Sequence, residues 1–249
     1  GLIERVGYYG AELVVNGNYD DNSAWTISGG NAEISNGKLN FDNAANYGTS
    51  VSNSASVVSG KTYFVKFTIS NYSSGAAQIR LGSQFGTSRN ANGTYTEYIV
   101  ANATLIRLYS SSDNTTLSID NVSVKQVDPN DRWTLDTGWS YGSNKVVGSA
   151  TTSEIQQDVV LPSGKQYLTT FTIEDYVSGD VRIRFRGGST ISGMNRSGNG
   201  TYTQILTSTG HSNIKIDGGT SFTGSVTNVS VVEVIGDKPR LDYDPTNPT

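Results

Sequence analysis

Aromatic and arginine side chains are the residues of this chain best suited to holding a ligand. Trp25, Tyr72, Tyr98, Trp139, Tyr141 and Tyr176 could each offer a flat apolar face, and Arg80, Arg89, Arg182, Arg184 and Arg196 a planar fork of donors. Such a pairing suits a polyhydroxylated ring, which lays its C–H face on the aromatic while the fork bonds hydroxyls or a carboxylate. Trp25, Tyr72, Arg80, Arg89, Trp139, Tyr176, Arg184 and Arg196 form the candidate carbohydrate-binding set. Each has a plainer reading beside it. The tryptophans could plug the edge of a core, and the arginines could be solvated or lie between modules.

Catalytic chemistry is harder to assemble. His211 is the only histidine, and Ser208-Thr209-Gly210-His211-Ser212 reads as an exposed turn in which it is inert. With no cysteine and no second histidine, zinc sites and Cys–His nucleophiles are excluded. There is no Gly-x-Ser-x-Gly elbow and no phosphate-binding loop. The 22 acidic residues gather in loops such as Asp20-Asp21 and Glu174-Asp175, an ordinary solvated-turn distribution. The chain is therefore expected to bind or to build, and not to act as an enzyme.

The elements that must position these residues are set out by a repeat. Ser59-Gly60-Lys61-Thr62-Tyr63-Phe64-Val65-Lys66-Phe67-Thr68-Ile69 returns 104 residues later as Ser163-Gly164-Lys165-Gln166-Tyr167-Leu168-Thr169-Thr170-Phe171-Thr172-Ile173. Arg89 and the Asn-Gly-Thr-Tyr-Thr turn after it return at Arg196, and Ile119-Asp120-Asn121-Val122-Ser123-Val124 returns as Val226-Thr227-Asn228-Val229-Ser230-Val231. One domain type is used twice. Tyr63, Val65, Phe67 and Ile69 alternate with Thr62, Lys66 and Thr68, a period of two that predicts a strand with one buried side. Arg80 and Arg184 take the outward positions of the next strand in each copy. Asn36-Gly37 between two apolar runs predicts a hairpin. No stretch of similar length has a helical period, so the fold class is all-β, two tandem antiparallel β-sandwiches of jelly-roll type with almost no helix.

The expected layout is a lead-in over 1–10, a first module over 11–127, a linker over 128–131, a second module over 132–235 and an extended segment over 236–249. Asp128-Pro129-Asn130-Asp131 breaks strands, and prolines at 239, 245 and 248 forbid a central strand near the end. Trp139 is expected to match Trp25. The net charge of −4 argues against a nucleic-acid partner, and no apolar run approaches the ~20 residues of a membrane span.

The opening Leu13-Val14-Val15-Asn16-Gly17, Trp25-Thr26-Ile27, the Ser-Gly-Lys-x-Tyr strands and the closing Ile119-Asp120-Asn121-Val122-Ser123-Val124 together resemble carbohydrate-binding modules of the galactose-binding-like jelly-roll class. The resemblance implies glycan binding, and in the first module a structural Ca²⁺ held by Asp120 with Asn16 or Asp20. In the second copy Thr227 stands where Asp120 would fall, and no other cofactor is implied. A turn cap made by Asp120 with its own backbone is the competing reading. The flanks Gly1-Leu2-Ile3-Glu4-Arg5-Val6 and Pro239-Arg240-Leu241-Asp242-Tyr243 resemble adjoining phrases of bacteriophage tail and other virion proteins. That implies a virion structural or adhesion protein (tail fibre, spike or head decoration) on the particle's exterior. Its partners would be host-surface glycan and other virion subunits, in a homo-oligomer that is a trimer if a fibre. The alternatives are carbohydrate-binding modules of a secreted, extracellular bacterial polysaccharide-active enzyme, or an architectural subunit with no ligand.

Overall fold

The computed structural model describes Ile3 and residues 5–235. These divide into two compact units, one of Tyr9–Pro129 and one in which residues up to Tyr8 join those from Asn130 onward. The described residues hold strands and turns and no helix.

In the first unit the strands run β1 (Tyr9–Glu12), β2 (Trp25–Ser28), β3 (Ala32–Ser35), β4 (Lys38–Ala44), β5 (Ser50–Ser56), β6 (Thr62–Ser74), β7 (Ala77–Leu81), β8 (Gln84–Phe85), β9 (Gly93–Val100), β10 (Leu105–Ser110) and β11 (Thr115–Val127). They form two antiparallel sheets. A long sheet has the order β3-β4-β11-β6-β9, with β1 also on β11, and a short sheet the order β2-β5-β10-β7-β8. The second unit repeats this plan with β12 (Trp133–Leu135), β13 (Trp139–Gly142), β14 (Lys145–Thr151), β15 (Glu154–Leu161), β16 (Gln166–Ser178), β17 (Val181–Arg186), β18 (Ile191–Ser192), β19 (Gly200–Thr207), β20 (His211–Gly218) and β21 (Phe222–Glu233). Its long sheet is β13-β14-β21-β16-β19 and its short sheet β12-β15-β20-β17-β18.

The alternation of β6 is seen as expected. Tyr63, Val65, Phe67 and Ile69 are buried in one core with Ile79, Leu81, Ile106 and Leu108 of the facing sheet, while Thr62, Phe64, Lys66 and Thr68 point outward. Tyr167, Phe171 and Ile173 fill the second core against Ile183, Phe185, Ile214 and Ile216. Thr169 shares their face and is buried, and its hydroxyl donates to the carbonyl of Gln204 at 3.0 Å. Burial of the hydroxyl costs little because that bond satisfies it. Asn36 and Gly37 both have positive φ, which makes the two-residue turn joining β3 to β4 of the primed type.

Asn residues also mark breaks within the long strands. Asn71 and Asn121 in the first unit, and Asp175 and Asn228 in the second, have φ near +50°, close to the places where the ladders of β6 with β11 and β16 with β21 shift register. Asn and Asp tolerate the left-handed region better than other non-glycine residues, so these repeated Asn and Asp positions are where a bulge is tolerated most cheaply.

Three expectations need correction. The described residues of the expected lead-in belong to the two units. Val6 is fully buried in the second core, Ile3 packs against it, and Tyr9–Glu12 is a strand of the first unit. Gly7, with φ of 66°, lies so close to Lys145 that a Cβ would come within 2.6 Å of its backbone nitrogen. Second, Trp133 and not Trp139 matches Trp25. Trp25 pairs with Asn53 on β5 and Trp133 with Gln157 on β15, the same rung of the short sheet, whereas Trp139 lies on the long sheet opposite Gly148. Third, His211 is no exposed loop residue. It opens β20 and is 4% exposed. One ring nitrogen meets the Ser208 hydroxyl at 2.7 Å and the other the Ser189 carbonyl, which pins a turn against Phe185. The expected segment 236–249 and most of the virion-like flanking phrases lie outside the described residues.

Candidate functional site

The outer face of the short sheet in the first unit gathers the side chains best placed to bind something. Strand alternation decides which they are. On β7, Ala77, Ile79 and Leu81 go to the core, so Gln78 and Arg80 go out; on β10, Ile106 and Leu108 go in, so Arg107 and Tyr109 go out. The register then sets neighbours. Arg107 faces Arg80, Tyr109 faces Gln78, Arg107 also faces Ser52 on β5, and Phe85 on β8 faces Arg80.

Aromatic rings frame this face. Tyr47, in the loop after β4, lies 5.5 Å from Phe85 and 6.1 Å from Tyr109, and Phe85 lies 6.1 Å from Tyr109 (ring centroids). Tyr109 is nearly covered, while Tyr47 is 51% and Phe85 39% exposed. The guanidinium of Arg80 stacks over Phe85 at 4.7 Å and lies 5.6 Å from Tyr109. Both arginines donate to the Tyr109 hydroxyl, Arg107 Nη1 at 3.1 Å and Arg80 Nη1 at 3.2 Å. Arg107 Nε also donates to the Ser52 hydroxyl at 3.0 Å, and the Gln78 amide donates to the Tyr47 hydroxyl at 3.2 Å.

Charge on this face is uncompensated. Among the described residues neither Arg80 nor Arg107 has a carboxylate partner, and Arg80 Nε is buried without an acceptor. Tyr109 registers the field. Burial pushes its hydroxyl pKa up, but the hydrogen bonds and positive charge of Arg107 and Arg80 outweigh that and bring it below the ordinary tyrosine value. The adjoining groove contains one acid, Glu97 on β9. That groove, of about 520 Å³, runs past Gln84, Phe85 and Thr87, and Glu97 spends Oε2 on the Thr87 N–H at 2.8 Å.

The second unit does something different at the same rungs. Lys215 faces Arg184 where Arg107 faces Arg80, and Asp217 faces Arg182 where Tyr109 faces Gln78. Oδ2 of Asp217 accepts both Arg182 Nε and Arg184 Nη1 at 2.9 Å, and Lys215 pairs with Glu154. Ser192 stands where Phe85 does, so this face lacks the aromatic wall.

The other sequence candidates are placed elsewhere. Trp25 and Trp139 are each 7% exposed and belong to the two cores; their indole N–H groups donate to the carbonyls of Asn16 at 2.7 Å and Ser153 at 3.0 Å. They plug the sandwich edges and offer no platform. Tyr72 and Tyr176 lean against the cores at the ends of β6 and β16, and the Tyr176 hydroxyl donates to Gly179. Arg89 and Arg196 each exchange two backbone hydrogen bonds with Ala77 and Val181 and stack on the tyrosine of their own turn, Tyr95 at 4.8 Å and Tyr202 at 5.2 Å. They hold that turn down. Arg184 is committed to Asp217, so of the sequence set only Arg80 lies in the aromatic cluster.

Asp120 and Asn16 each hold hydrogen bonds within their own turns. Asp120 Oδ1 accepts the Asn121 N–H at 2.6 Å and Oδ2 the Asn121 amide, which is the turn cap. Asn16 Oδ1 accepts the Asp20 N–H at 2.9 Å, and its amide donates to Asp21 and Ser23. Among the described residues no group of three His, Cys, Asp or Glu could hold a metal.

No protein-family model matches the chain, and no curated protein matches it. Among solved structures it aligns with the N-terminal CBM22-1–CBM22-2 tandem domain of Paenibacillus barcinonensis Xyn10C, at 11% identity over 93% of this chain and 99% of that one, with a TM-score of 0.33. It also aligns with Paenibacillus xanthan lyase at 18% identity over 93% of this chain and 26% of that one, with a TM-score of 0.30. Likenesses at such scores carry no argument about function. The sheets carry the fold by themselves.

Tyr47, Phe85, Gln78, Arg107 and Tyr109 were missed by reading the sequence. A signal for two of them exists: Leu105-Ile106-Arg107-Leu108-Tyr109 places Arg107 and Tyr109 on one face by the same alternation that marked Arg80. Gln78 carries the same signal two residues before Arg80, while Tyr47 and Phe85 depend on which loop and strand lie next to β7.

Proposed function

We propose that the chain is a glycan-binding protein whose first sandwich holds a saccharide on the outer face of its short sheet. The observation that carries this reading is the meeting of two half-exposed rings, Tyr47 and Phe85, with the Arg80 and Arg107 guanidinium groups on one sheet face. Exposed rings take the apolar face of a pyranose, and planar donors take its hydroxyls. The second sandwich serves as a spacer or brace. An open face of this kind gives weak single-site binding that many copies on a surface would multiply. A glycan display probed with a multivalent form of the full chain tests the reading. Phe85→Ala and Tyr47→Ala should each cut binding about tenfold, the order of one stacked aromatic. Silence of the whole display would leave the architectural role.

The same face serves either setting, a module of a secreted bacterial polysaccharide-active protein or an adhesion element on the outside of a phage particle. The polypeptide on either side of this segment separates the two settings: a hydrolase or lyase domain supports the first, and fibre or tail segments the second. A fibre would be a trimer by sedimentation. A Ca²⁺ at Asp120 in the first module is a separate proposal, and a rise in melting temperature with Ca²⁺ that EDTA reverses would support it.

A further inference from the structure

Resting on that glycan-binding reading, we propose that the site on the first sandwich selects a sugar bearing a carboxylate, a uronic acid, and that Arg107 and Arg80 are its readers. The protein contains its own picture of the bound state. In the second unit a carboxylate, Asp217, fills the rung that Tyr109 occupies in the first, and two arginines close on it at 2.9 Å. In the first unit two arginines again converge on that rung, but they meet a neutral hydroxyl, and their charge is left without a carboxylate among the described residues. A neutral phenol satisfies two guanidinium groups less well than a carboxylate, which adds the attraction of opposite charge and a second acceptor oxygen for the fork.

Solvent geometry agrees. Arg107 is half-buried at the middle of the sheet, beside Ser52 and Tyr109, and Arg80 is held flat by Phe85, so both forks are pre-set before a ligand arrives. A pyranose resting on the exposed Tyr47 ring, beside Phe85, would bring its ring substituents towards the two guanidinium groups. Glu97 lines the groove beside Phe85 with Oε2 tied to the Thr87 N–H, and it makes no ion pair with either arginine among the described residues.

The test uses the full chain with polygalacturonate, alginate, hyaluronate and glucuronoxylan, each beside its carboxyl-reduced form, in affinity electrophoresis. At least one acidic polymer should bind about tenfold more tightly than its reduced twin, and the gap should narrow as salt rises from about 0.05 to about 0.5 M. Arg107→Gln should close the gap while leaving the melting temperature near the parent's. Should that variant fail to fold, Arg107→Lys, which keeps the charge without the fork, should shrink the gap and keep its salt dependence. Equal binding of acidic and reduced forms overturns the carboxylate preference and leaves glycan binding standing. A gap that survives Arg107→Gln overturns the role of this residue. If neither form of any polymer binds and the broad display is also silent, glycan binding itself has failed.

Discussion

Replacing Asp217 by Asn should destabilise the second unit far more than its size suggests. The change is nearly isosteric and removes one charge. Its carboxylate oxygen holds Arg182 and Arg184 at 2.9 Å each, with side-chain exposures of 10% for the acid and 29% and 19% for the two arginines. Removing one partner of a buried ion pair costs about 3–5 kcal/mol, because the opposite charge is stranded. Both arginines keep some water, and the Asn oxygen can still accept one bond, so we take about 2–3 kcal/mol. For a unit of this size that is a fall of roughly 6–15 °C in melting temperature. The assay is urea unfolding followed by tryptophan emission. Trp133 and Trp139 lie in the second unit and Trp25 in the first, so a Trp25→Phe background reports the second unit alone. A stability change under about 0.5 kcal/mol would refute the reasoning. The carboxylate would then not be what holds those arginines, and its use as a picture of the bound state in the first unit would lose its basis. The matched change, Tyr109→Phe, removes only a neutral acceptor and should cost about 1 kcal/mol.

Phe67→Ala and Phe171→Ala each empty a fully buried site and should cost about 3–5 kcal/mol in the unit that carries them, read by the same urea assay. Val6→Ala should weaken the second unit by about 2 kcal/mol and leave the first unchanged, since Val6 is buried among residues of the second; an effect on the first would contradict that placement. Tyr19 is buried with its hydroxyl unpartnered, and burial, with repulsion from Asp120, holds its pKa well above the ordinary value. Its contribution is therefore present below the unfolded tyrosine value of about 10 and lost as pH rises beyond it. The first unit's melting temperature should fall above about pH 10, and Tyr19→Phe should flatten that fall while leaving neutral-pH stability equal or about 1 kcal/mol higher. In the same alkaline titration Tyr109, held below the ordinary value, should supply the earliest tyrosinate absorbance, and Tyr109→Phe should remove it.

Much of the fold was legible because a strand writes its burial into every second residue. Tyr63, Val65, Phe67 and Ile69 declare their face locally, and the second copy repeats the declaration, so the all-β class, the duplication and the cores could be read without coordinates. Arg80 was legible as an outward residue for the same reason. Its neighbours were not, because the partners of β7 are β10 and β8, and β10 begins 24 residues after β7 ends. Nothing in the local pattern says that Arg107 and Tyr109 will lie on the next strand, or that the loop carrying Tyr47 will reach Phe85. The tryptophans misled for a related reason: size and aromaticity suit a platform and a core plug equally, and only closure of the sandwich edge buried them. The sequence by itself determined the strands and the repeat, since alternation and turn chemistry are local. That one copy meets its arginines with the carboxylate of Asp217, while Arg80 and Arg107 meet only hydroxyls among the described residues, depends on which side chains the register sets opposite one another.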